Sequence, residues 1–155
     1  MAYTIGIDVG GTKVLAGVGA EDGTIVEYLR RPTPADDPDE VMKVIAGLVH
    51  ELACRHEVTA VGVGAAGFVD EARSALRFAP NLPGWREEAL RQKLGDLIGM
   101  PVVVENDANA TAWGEYRFGA GRGETHMVCV TVGTGIGGGV VLDGRLYRGR
   151  YGMGA

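Results

Sequence analysis

The sequence predicts an α/β fold, and three observations carry that prediction. The chain opens with three short apolar runs joined by tight turns. Two later stretches set apolar residues at helical spacing. Short β-type runs lie between and after them, and strands mixed with helices define the class.

Each element follows from its local pattern. Tyr3 to Asp8 alternates as a strand, and Val9-Gly10-Gly11-Thr12 is a turn signal. Lys13 to Ala20 reads as a second strand. Asp22-Gly23 then turns the chain into a third, Thr24 to Arg31, so the opening is an antiparallel meander. After a Pro/Asp loop, Asp37 caps a helix with Pro38 at its first position and Glu40 in the capping-box position. Val41, Val44, Ile45, Leu48 and Leu52 form its apolar face.

Val58 to Ala65 is a short apolar strand. Gly67 to Asp70 reads as a turn, Ala75 to Ala79 as a further strand, and Pro80 to Gly84 as a loop. Trp85 to Ile98 is expected to be helical, with Leu90, Leu94, Leu97 and Ile98 on one face. Val102 to Val104 reads as a buried strand, and Asp107 to Phe118 as a helix with Asp107 near its N-cap. Gly119 to Gly123 reads as a joint. Met127 to Val132 and Gly139 to Leu142 are strands, and Asp143-Gly144 turns the latter into Arg145 to Tyr147.

The 155 residues suit one domain, or one and the start of another. That length buries a core without disulfides or metal staples. Hydrophobic residues at 46% and charged residues at 23% exclude disorder. A net charge of −5 and a pI near 5.2 argue against a nucleic-acid partner. No apolar run approaches the ~18 residues that span a bilayer. The N-terminus has no basic n-region, and two cysteines, Cys54 and Cys129, suit a reducing compartment, so a cytoplasmic protein is expected. Cys129 sits in an apolar run and reads as a small core residue. His50 and His56 have no ligand partners at metal spacing and read as solvated.

Glycine is the outlier. There are 26 in the chain, where a usual share is roughly 7%. Two loops hold many of them. Gly6 to Lys13 has the glycine spacing of a P-loop, but its order is Thr12-Lys13 and an apolar strand follows, so it is not a Walker A site. It is a strand–turn–strand whose bare N–H groups can form an anion nest. Asp8 beside that nest either holds Mg²⁺, directly or through water, or is a solvated turn acid. Gly133 to Gly139 matches G-x-G-x-x-G through Gly133, Gly135 and Gly138, but a hairpin follows where a dinucleotide fold needs a helix. Two Gly/Thr hairpin loops, one near each end, suggest two halves closing on one polyphosphate.

This pair of loops, with Asp8-Val9-Gly10-Gly11-Thr12 first, resembles the actin–hexokinase–heat-shock ATPase superfamily, and within it the ROK family of sugar kinases. The resemblance covers nearly the whole chain. It implies a ribonuclease H-like, actin-like ATPase lobe over residues 1–118, and over 119–155 the first hairpin of a second, similar lobe. It implies that Gly10, Gly11, Thr12 and Lys13 contact ATP phosphates from one side, and Gly133, Thr134, Gly135, Gly137 and Gly138 from the other. Within Glu105-Asn106-Asp107-Ala108-Asn109-Ala110 it implies Asp107 as catalytic base and Asn106 as a sugar ligand. Asn81, in Asn-Leu-Pro-Gly-Trp, and Gly67 are implied as further sugar contacts. Glu105 is read as supporting the strand end. A lone Asp at a helix start would more simply be its cap.

The activity implied is ATP-dependent phosphorylation of a hexose, most simply glucose, with Mg²⁺ bound. Other hexoses, and polyphosphate as donor, stay open. A sugar-sensing repressor is disfavoured, because only seven residues precede Asp8 and a DNA-binding domain has no room. The family's E-x-G-H motif, its zinc-binding cysteines and its nucleoside turn are absent. The chain is therefore expected to be an N-terminal portion, inactive alone, of a protein that works as a homodimer. The hairpin from Met127 to Tyr147 is expected to expose apolar edges, with self-association a risk.

Overall fold

The computed structural model describes residues 2–133 and 135–152. β1 (Tyr3–Val9), β2 (Lys13–Gly19) and β3 (Ile25–Pro32) form the expected antiparallel meander. α1 (Pro38–Ala53) leads to β4 (Val58–Ala65), which lies parallel to β1. β5 (Phe68–Val69), β6 (Leu76–Phe78) and β7 (Arg86–Glu88) make a small antiparallel sheet of their own. α2 (Leu90–Ile98) returns the chain to β8 (Val102–Asn106), parallel to β4, and α3 (Asp107–Phe118) follows without a loop. β9 (Met127–Val132), β10 (Ile136–Leu142) and β11 (Arg145–Tyr147) form a third sheet. The main sheet runs β3-β2-β1-β4-β8.

The strands place alternate residues on one face. Ile5, Ile7 and Val9 of β1, Val14, Ala16 and Val18 of β2, and Val61, Val63 and Ala65 of β4 are all buried there. α1 covers them with Val41, Ile45, Leu48 and Leu52, and α2 adds Leu90, Leu94 and Ile98. Each buried Val, Leu or Ile among them contributes roughly 1.5–3 kcal/mol by leaving water. α1 starts as expected: the Asp37 carboxylate accepts the N–H groups of Asp39 (3.0 Å) and Glu40 (3.2 Å). Glu40 does not complete a capping box. Its carboxylate pairs with Lys43 at 2.6 Å instead.

Other expectations are corrected. Phe68–Val69 is a strand rather than part of a turn, because β6 pairs with it. The second helix begins at Leu90, not Trp85. Arg86–Glu88 is held by β6, and Trp85 is a fully buried core residue ahead of it. Leu97 is exposed rather than on the buried face, and Val103 points away from the core. His56 is not merely solvated: its Nε2 meets Glu27 Oε2 at 2.6 Å, and its ring packs edge-on against Tyr3. Cys129 is only partly buried.

β10 starts at Ile136, three residues earlier than expected, so Gly137, Gly138 and Gly139 belong to a strand. α3 lies on that strand. A Cβ on Gly137 would come within 2.9 Å of the Ala108 Cβ, and one on Gly139 would collide with the Ala112 Cβ. These glycines let helix and sheet approach closely. The opposite face of the third sheet is bare, with Val128, Val130, Val132 and Ile136 between 63% and 81% exposed. The apolar exposure is thus on a face of this sheet rather than at the expected edges. No helix among the described residues is long and apolar enough to cross a membrane.

Candidate active site

The three parallel strands end together. Val9 is in register with Ala65, and Ala65 with Asn106. Ligands of open α/β sheets bind beyond the carboxyl ends of such strands. The turn after β1 carries Gly10 and Gly11, the turn after β4 carries Gly67, and β8 delivers Asn106 and Asp107. One row of the sheet therefore gathers residues far apart in sequence.

The turn at Gly10 is closed by its own N–H donating to the Lys13 carbonyl (3.0 Å). The Thr33 hydroxyl donates to the Gly10 carbonyl (2.8 Å), and the Thr33 N–H donates to the Thr12 carbonyl (3.0 Å). Thr33 thus anchors the turn from two sides, a role with no local signal in the sequence. Gly11 faces Asn81: a Cβ there would lie 3.0 Å from both the Asn81 Cβ and its carbonyl oxygen. Leu82 and Trp85 are fully buried while Asn81 is exposed, so the apolar members of Asn-Leu-Pro-Gly-Trp anchor the loop that presents Asn81.

Asn106, not Asp107, caps α3. Its Oδ1 accepts the Asn109 N–H at 3.0 Å, and its Nδ2 donates to the Gly67 carbonyl (2.9 Å) and to Asp107 Oδ1 (3.2 Å). The same Asp107 oxygen accepts the Ala108 N–H at 2.9 Å. Among the described residues, Asp107 Oδ2 takes no hydrogen bond. The two oxygens of this carboxylate thus sit in different surroundings. Gly67 is held close to β6, where a Cβ would strike the Phe78 carbonyl oxygen.

A groove of about 890 Å³ runs beside these residues and is lined in part by Asp8, Glu105, Asp107 and Thr131 of β9. Asp8 reaches solvent through it, yet the surrounding protein strips away enough water to push its carboxyl above the usual value. The like charge of Asp107 pushes the same way, and Lys13 pulls partly back. Gly133 donates its N–H to the Gly135 carbonyl at 2.8 Å, and a Cβ on either residue would meet open space. Thr134 lies outside the described residues.

A family profile described as the ROK family matches residues 4–155. The chain belongs to the ROK family. It is 49% identical to a glucokinase of Streptomyces coelicolor over 155 residues, which is all of this chain and 48% of that one. A solved ROK family glucokinase from Streptomyces griseus, in complex with glucose and AMPPNP, superposes with a TM-score of 0.91 at 49% identity, covering 97% of this chain and 47% of that one. An inorganic polyphosphate/ATP-glucomannokinase from an Arthrobacter species superposes at 0.84 with 34% identity, covering 94% of this chain and 60% of that one. The chain spans about half the length of the curated relatives it matches.

This ROK chain therefore holds an actin-like α/β lobe with its glycine turns, Asn81, Gly67, Asn106 and Asp107 toward one end of the sheet. Three of the glycines in the second loop have a structural role in strand β10, where the packing of α3 accounts for Gly137 and Gly139. Among the described residues no group of three or more His, Cys, Asp or Glu could hold a metal ion. Mg²⁺ is a different case. It binds through one or two carboxylates with waters and substrate phosphates, and Asp8 beside the Gly10–Gly11 turn suits that donor set. Arg148 is a residue the sequence did not single out. It binds Glu105, 43 positions away, through Nε at 2.8 Å and Nη2 at 2.7 Å.

Proposed function

We propose that the whole protein transfers the γ-phosphoryl group of ATP to the 6-hydroxyl of glucose, with Asp107 as general base. The observation that supports this best is the asymmetry of the Asp107 carboxylate, one oxygen held by Asn106 and Ala108 and the other without a hydrogen bond among the described residues. A sugar hydroxyl is a weak nucleophile, and a positioned carboxylate that takes its proton contributes about 10²–10⁴-fold. The O–H bond breaks toward Asp107 as the oxygen forms its bond to γ-phosphorus. The bond from that phosphorus to the bridging oxygen breaks, and ADP leaves with the electron pair.

In this reading Asn81, Gly67 and Asn106 orient the sugar, the last two through the bond that joins them. Gly10, Gly11, Thr12 and Lys13 hold the phosphates from one side. Gly133, Thr134, Gly135, Gly137 and Gly138 do so from the other. Mg²⁺, held at Asp8 directly or through water, supplies neutralisation of phosphate charge. Residues 1–118 form one lobe and 119–155 begin a second. Two unpaired cysteines and a nucleotide substrate favour the cytoplasm.

Likeness to a polyphosphate/ATP-glucomannokinase keeps a second donor in view. A coupled assay of the whole protein decides between the readings. Glucose is offered beside fructose, mannose and N-acetylmannosamine, with ATP or polyphosphate as donor. The highest kcat/KM is expected for glucose with ATP. Failure to phosphorylate any hexose contradicts the proposal.

A further inference from the structure

We infer that Arg148 and Glu105 act together as a positioning pair for Asp107, tying the sheet that carries the second glycine turn to the strand that carries the base. The inference rests on the reading of Asp107 given above. Glu105 is the next-to-last residue of β8, and its side chain is only 12% exposed. Its two oxygens do different work. Oε1 accepts the Asn106 N–H at 3.1 Å and an amide hydrogen of Asn109 at 3.3 Å. Oε2 accepts a hydrogen bond from Arg148 Nε at 2.8 Å and pairs with Nη2 at 2.7 Å, with Arg73 Nη1 a further 3.9 Å contact.

Asn106 is the cap of α3, and Asn109 is the residue whose N–H that cap receives. Asp107 lies between them. Glu105 therefore grips both sides of the base without touching it. Arg148 in turn fixes Glu105 by holding Oε2 between Nε and Nη2, a charge-assisted contact that leaves Oε1 to Asn106 and Asn109. It follows directly on β11, in the sheet that also contains β9, β10 and the Gly133–Gly135 turn. Beyond it the chain folds back against β5: Gly152 is buried, and a Cβ there would lie 2.7 Å from the Val69 carbonyl oxygen. Arg148 is thus held from both ends of its own segment. A shift of the third sheet is passed through Arg148 and Glu105 to the first turn of α3.

The pair is tested in the whole protein by a double-mutant cycle on glucose phosphorylation. Arg148→Met is expected to lower kcat about tenfold or more while KM for glucose and for ATP changes less than about twofold. Arg148→Lys keeps the charge but not the planar pair of donors on Oε2, and is expected to recover only part of the loss. Glu105→Gln is expected to match Arg148→Met, and the double variant to fall no further than either single one. Wild-type kcat in Arg148→Met, or losses that multiply in the double variant, overturns the inference. So does a loss in Arg148→Met that Arg148→Lys fully restores, because charge alone then suffices. Asp107→Asn is run beside them. If it keeps near-normal turnover, the base assignment itself fails and the positioning role falls with it. If it is inactive while Arg148→Met is normal, only the positioning role fails.

Discussion

The side-chain amide of Asn106 donates to the backbone carbonyl of Gly67 at 2.9 Å, across 39 positions of sequence. That bond joins the turn after β4 to the cap of α3, so two proposed sugar ligands are set by each other. The other end of the same amide, Oδ1, accepts the Asn109 N–H and so caps α3 in place of Asp107. A helix start that would ordinarily occupy an Asp is served by its neighbour instead.

Asn106→Ala removes both the cap and the bond to Gly67. Loss of a side-chain cap costs about 0.5–2 kcal/mol, and Asp107 loses one of the two donors to its Oδ1. The variant is expected to unfold at lower urea concentration, with stability down by about 1–2 kcal/mol. Its KM for glucose is expected to rise, as read in steady-state kinetics.

Two glycines of the second loop are expected to respond in opposite ways. Gly139→Ala drives a methyl group into Ala112 and to within 3.1 Å of the Ala108 carbonyl, and overpacking of this kind costs about 1–3 kcal/mol. Gly133→Ala places its methyl in open space. It is expected to leave the melting temperature unchanged and to raise KM for ATP. Equal melting temperatures for the two variants would contradict the packing role of Gly139.

The Asp8 carboxyl has a pH signature. Its folded pKa lies above the ordinary value of 3.8 because of desolvation, then the charge of Asp107. The native state therefore holds that proton more tightly than the unfolded chain does. The group's contribution becomes less favourable as pH rises from 3.8 through the raised folded value, and the penalty is complete above it. Asp8→Asn removes the penalty. In thermal melts without nucleotide it is expected to unfold at a higher temperature than wild type at neutral pH. The gap should close as pH falls through the raised value toward 3.8. A gap that grows on acidification would contradict the assignment.

The bare face of the third sheet gives a prediction for residues 1–155 alone. Val130 is 63% exposed among other apolar side chains, and patches of this kind drive association. Val130→Thr is expected to reduce self-association in light scattering while leaving the circular dichroism spectrum unchanged.

Much of the fold was legible because it depends on local periodicity and turn chemistry. Ile5, Ile7 and Val9 alternate, Asp37 and Pro38 mark a helix start, and Asp143-Gly144 marks a hairpin. In the last, both residues take positive φ, 51° and 72°. The misreadings occur where a distant partner decides. Arg86–Glu88 follows helical spacing but is taken by β6, and Glu40 turns to Lys43 instead of its own helix start. At the site, the motifs located Asp107, Asn81 and Gly67. The capping of α3 by Asn106, the anchoring of the first turn by Thr33 and the grip of Arg148 on Glu105 are tertiary contacts, and nothing in local spacing announces them. The second glycine loop is less uniform than its composition suggests, because Gly137 and Gly139 serve close packing against α3.

The most direct test is glucose phosphorylation by the Asp107→Asn variant of the whole protein, with glucose binding measured by calorimetry on the same preparation. The substitution keeps the Oδ1 acceptor for Asn106 and Ala108 and removes the proton acceptor. The account predicts retained glucose binding with kcat lowered by at least about 10²-fold. Near-wild-type kcat in that variant would contradict it.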